Sequence, residues 1–80
     1  MPTQSRGSKL ATHYANFFKT GFNAFEFVID FGRHYSESED AELCARIIVS
    51  PGYIKELQAI LRESIEQYEQ SFGAIKTEEE

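Results

Sequence analysis

The segment Phe25-Glu26-Phe27-Val28-Ile29-Asp30-Phe31-Gly32 sets large apolar residues on odd positions and Glu26 and Asp30 on even ones. A two-residue period is that of a strand with one apolar and one polar face. Three phenylalanines and an isoleucine on one face need a cover, and only the segment after Pro51 offers one. There Ile54, Leu57, Leu61, Ile65, Tyr68 and Phe72 recur at intervals of three and four, the stripe of an amphipathic helix. Ser50 supplies an N-cap hydroxyl, Pro51 suits the first helical position, and Gly73 can take the positive φ of a helix end. The spacing therefore predicts a helix over Pro51–Phe72, on the order of 33 Å long at 1.5 Å per residue.

Two further segments read as strands: 13–23, aromatic but closing on the turn residues Gly21 and Asn23, and Leu43–Val49, with β-branched residues at its end. Between the last two strands, 36–40 is an acidic loop without an apolar anchor. The expected fold class is α+β, a three-stranded antiparallel sheet in the order β-β-β-α with one long C-terminal helix packed on one face. It occupies residues 12–75 as a single domain, between a polar disordered tail at 1–11 and an acidic disordered tail at 76–80.

Register follows from the same alternation, because a slip by one residue carries an apolar row to the wrong face. Matching the odd rows of the last two strands sets Ile29 opposite Ile47 and, on the other face, Asp30 opposite Arg46 and Val28 opposite Ile48. The rival register forfeits that charge pair. For the first hairpin, a two-residue turn at Asn23-Ala24 pairs Phe22 with Phe25 and Phe18 with Ile29.

One helix covers one face, so the second face keeps Phe17, Val28 and Ile48 among Lys19, Asp30 and Arg46. An apolar centre with a polar rim is the make-up of an interface, and Ile60, off the helix stripe, adds a flank patch. Self-association also suits the length, since 80 residues is a size at which one core is marginal. A single cysteine, Cys44, permits no internal disulfide and no chelating zinc cluster. The expected partner is a second copy, in a dimer or higher oligomer, together with another protein or peptide. A net charge of -5 with scattered basic residues argues against direct nucleic-acid binding. There is no apolar run for a membrane span, and the first nine residues lack a signal-peptide core, so the expected compartment is the cytoplasm.

Chemistry is thinly represented. Cys44 and His34, with Glu42 expected opposite His34, could form an activated nucleophile, but no oxyanion-binding loop adjoins them, and a strand cysteine behaves as a small hydrophobe. Glu26, Asp30 and His34 share a face, yet strand positions four apart lie about 13 Å from each other, too far to share an ion. Ser50-Pro51-Gly52 is too short for a phosphate loop. No catalytic, cofactor or metal residue is expected.

The strings Tyr14-Ala15-Asn16, Phe25–Gly32, Ala45-Arg46-Ile47-Ile48-Val49-Ser50-Pro51 and Gln67-Tyr68-Glu69 before Phe72-Gly73 resemble small bacterial and archaeal proteins of domain of unknown function 3467, from about Tyr14 to Ile75. Where the usual member has a small residue or alanine and a lysine after the proline, Gly52-Tyr53-Ile54-Lys55 stands here, a departure that touches packing. The resemblance implies no activity. At the level of fold alone the chain is similar to SecB-type export chaperones, whose antiparallel sheet and following helix pair into dimers and tetramers. The function expected is a non-enzymatic, homo-oligomeric protein-binding or accessory module. The alternatives are a SecB-like binder of extended polypeptide and a small Cys/His-dependent enzyme.

Overall fold

A computed structural model describes residues 10–35 and 40–77. Within them run β1 (Phe17–Phe22), β2 (Phe27–His34), β3 (Ala41–Val49) and α1 (Pro51–Phe72). The three strands form one antiparallel sheet in the order β1-β2-β3, which leaves β1 and β3 as its edges. The expected disorder of the tails falls largely on residues 1–9 and 78–80, and most of the acidic loop on 36–39, outside the described residues. The chain divides into two compact units, one of 10–21, 28–35 and 40–47, the other of 22–27 and 48–77.

In the first unit the alternation of β2 fixes the register as expected. Arg46 Nε donates to Asp30 Oδ1 at 2.7 Å and Nη2 to Oδ2 at 3.0 Å, a bidentate cross-strand pair. Phe18 and Phe31 meet edge to face, ring centroids 5.9 Å apart. β1 starts at Phe17 rather than His13 because Asn16 takes over the pairing with its side chain. Its Oδ1 accepts from His34 N at 2.7 Å and its Nδ2 donates to His34 O at 3.1 Å, while its backbone N–H donates to Gly32 O at 3.0 Å. β3 extends back to Ala41, two residues before the apolar run, since ladder pairing follows the backbone and not hydrophobicity.

In the second unit the hairpin turn sits one residue later than expected. Asn23 N donates to Glu26 O at 3.0 Å, and Asn23 Oδ1 accepts from Phe25 N at 2.7 Å and Glu26 N at 3.0 Å. Ala24 and Phe25 are thus the turn residues, and the side chain of Asn23 closes the bend from within. Phe22 packs on Phe27 at 5.6 Å instead of pairing with Phe25. The shift moves each partner along β2 by two positions, so the faces stay as expected.

The helix occupies the expected residues, but its start differs. Ser50 makes no side-chain capping bond; its carbonyl accepts from Ile54 N at 3.0 Å. At the other end Gly73 has φ 94° and its N–H donates to Glu69 O at 2.9 Å, and the Glu69 carboxylate accepts from Ile75 N at 2.9 Å. The positive φ favours glycine because L side chains rarely adopt it, although nothing else crowds the Cβ position.

The expected burial is not found. Among the described residues no hydrophobic side chain is buried. On the odd-numbered sheet face Tyr14, Phe18 and Ile47 are exposed, and on the helix stripe Leu61, Ile65, Tyr68 and Phe72 are exposed, with Ile54 and Leu57 half-buried. Both amphipathic patterns are present, and among the described residues neither is buried.

Candidate functional site

Alternation sends Val28, Asp30 and Gly32 to one face of the central strand, and that face is the better covered. Asp30 is 4% exposed and is the buried charged residue among those described. Its carboxyl is held below the ordinary carboxylate range chiefly by the hydrogen bonds from Arg46, with the Arg46 and Lys19 charges adding to this and desolvation opposing it. The Arg46 guanidinium is raised by the same bonds. Of the residues expected to make an interface here, Phe17 and Val28 are half-buried, while Lys19, Arg46, Ile48 and, on the helix, Ile60 are exposed.

A recess of about 370 Å³ lies at the other end of β2, lined among others by His13, Tyr14, Arg33, Tyr35, Glu42 and Cys44. The Arg33 guanidinium carbon stands 5.1 Å from the ring centroids of both Tyr14 and Tyr35, a cation held between two aromatic faces. Sequence reasoning missed this arrangement; the signal was Arg33 and Tyr35 continuing the odd row of β2, with Tyr14 on the facing segment. Cys44 Sγ donates to Phe31 O at 3.4 Å, spending its hydrogen on a backbone carbonyl. Among the described residues neither histidine hydrogen-bonds this thiol, and His34 instead has both backbone groups bound by Asn16. The Cys44 and His34 pair weighed from the sequence thus has no hydrogen bond between its members among the described residues. Among the described residues no group of three or more His, Cys, Asp or Glu could hold a metal ion, and no helix is long and apolar enough to cross a membrane.

The stripe of α1 forms an apolar groove of about 480 Å³, with Ile54, Leu57, Leu61 and Ile65 along its floor and Gln58, Arg62 and Glu66 along its border. A helix buried within its own chain shows this floor packed; here its side chains stand half-buried or exposed. What the arrangement can do chemically is bind apolar surface, with charges at the border to set orientation.

No curated protein and no solved structure matches the chain. A family model matches over residues 3–77, nearly the whole length, including the Asp30 and Arg46 strands, the Ser50-Pro51 junction and the helix. The chain thus belongs to the family described as protein of unknown function (DUF3467).

Proposed function

We propose that the chain is a non-enzymatic, homo-oligomeric module that covers its apolar faces with a second copy and presents the rest of its surface to a protein or peptide partner. One observation carries the reading: no described hydrophobic side chain is buried. Tyr14, Phe18, Phe22, Phe25, Tyr53, Tyr68 and Phe72 are exposed by half to four-fifths. At roughly 200 Å² per aromatic side chain, that leaves on the order of 900 Å² of ring surface in water, summed over the seven residues. Association is the economical way to remove it. The sheet adds a second binding element, since β3 is a nine-residue edge strand whose outer backbone groups can pair with an extended peptide.

Two differently tagged full-length copies expressed together in the native host, captured through one tag after mild cross-linking, test the reading. The other tag and a heterologous protein are expected to co-purify in comparable amounts. Recovery of the captured copy alone contradicts it. Labelling of Cys44 no faster than that of an ordinary free thiol is also expected, since its hydrogen is committed to a carbonyl.

A further inference from the structure

The apolar groove of α1 has a charged border whose order along the helix selects its occupant. We propose that α1 pairs antiparallel with α1 of a second copy of this chain, groove to groove, about a two-fold axis near Glu63. The proposal rests on the self-association argued above and names the surface that performs it.

Lys55, Arg62, Glu66 and Glu69 follow one another at intervals of seven, four and three, so all four stand on one flank of the helix, and Arg62 and Glu66 border the groove itself. Bases occupy the N-terminal half of this flank and acids the C-terminal half. That order runs against the helix dipole, which favours acids at the N-terminus and bases at the C-terminus; the first turn holds no acid and the last no base. Nor do these charges neutralise one another within the chain. Among the described residues no ion pair joins any two of these four, and Glu69 accepts the backbone N–H of Ile75.

A second helix laid antiparallel in the groove resolves this arrangement. It brings Lys55 and Arg62 of each copy beside Glu69 and Glu66 of the other, four favourable contacts from one two-fold operation. A parallel two-fold pair instead sets this flank against the opposite flank of the other copy, so Lys55 and Arg62 no longer face Glu69 and Glu66. The same axis directs Ile54 toward Phe72 and Leu61 toward Ile65 of the other copy, so the apolar floor is covered at both ends and at its centre. A foreign helix would need the same charge order by coincidence, whereas a second copy carries it by construction.

Sedimentation velocity on the full-length chain tests the pairing through two variants, Lys55→Glu with Arg62→Glu and Glu66→Lys with Glu69→Lys. None of the four side chains is buried, the second variant also loses the bond from Ile75 N–H to Glu69, and circular dichroism checks that helix content is kept in both. Either variant alone is expected to associate roughly tenfold or more weakly than the parent, and their equimolar mixture to recover the parent's association. Orientation is read separately, with Cys44→Ser in the background. Lys55→Cys mixed with Glu69→Cys is expected to give a disulfide-linked mixed dimer, and Lys55→Cys alone to stay unlinked. Linking of Lys55→Cys to itself in equal yield overturns the antiparallel order. Unchanged association of both charge variants overturns the groove as the interface while leaving self-association standing. A parent chain that sediments as a monomer of 9.2 kDa overturns both.

Discussion

Asp30 is covered while the guanidinium that holds it is largely in solvent, with side-chain exposures of 6% and 65%. The carboxylate is therefore the partner that depends on the bond. Its folded value lies below the ordinary 3.8, so the stabilisation is fully present above that pH and is lost as pH falls through the lowered value. Asp30→Asn is expected to flatten this acid limb: the thermal midpoint should drop less between about pH 6 and about pH 3 than it does in the parent. Gly32 poses a different constraint, because a Cβ there would stand 2.8 Å from Glu42 O, a backbone atom that cannot swing aside. Gly32→Ala should destabilise by roughly 1–3 kcal/mol in denaturant unfolding, as overpacking does. Gly21→Ala, with nothing within 4 Å of its Cβ, should stay within about 0.5 kcal/mol. The charge pair was legible in the sequence because alternation assigns faces and opposite signs choose a register. The close approach at Gly32 and the Asn16 clamp were not, since each depends on which backbone atoms end up opposite.

The helix was legible at both ends, from Pro51 and from Gly73, because fixed φ and positive φ are properties of the residue itself. What Ser50 does was not. A hydroxyl suited to capping is available, yet its side chain makes no capping bond. The hairpin shows the complementary error: Asn23 looks like a turn residue by type, but it acts from just before the turn, through its side chain. These two positions exchange their expected importance. Asn23→Ala should destabilise by roughly 0.5–2 kcal/mol, since two backbone N–H groups lose their acceptor. Ser50→Ala should change stability by less than about 0.5 kcal/mol, below the usual value for a lost N-cap. Thermal unfolding of the two variants side by side separates the cases, and a larger loss at Ser50 would show that its hydroxyl caps the helix after all.

Both amphipathic patterns that defined the fold in the sequence are present in the chain, the odd row of β2 and the three-four stripe of α1. Pattern reports which side of an element is apolar; it carries no information on whether the cover comes from the same chain. Phe18 on the sheet and Leu61, Ile65 and Phe72 on the helix are exposed, although each was expected to lie against its own chain. A sequence of this length with its apolar sides open has little to offset the entropy of ordering unless another copy contributes. Under the proposed self-association, folding and association are one equilibrium, and the unfolding midpoint should rise with protein concentration. The most direct measurement is light scattering on the full-length chain, from about micromolar concentration upward. The account predicts a cooperatively folded species whose mass is a multiple of 9.2 kDa. A cooperatively folded species of 9.2 kDa, with a midpoint independent of concentration, would contradict it.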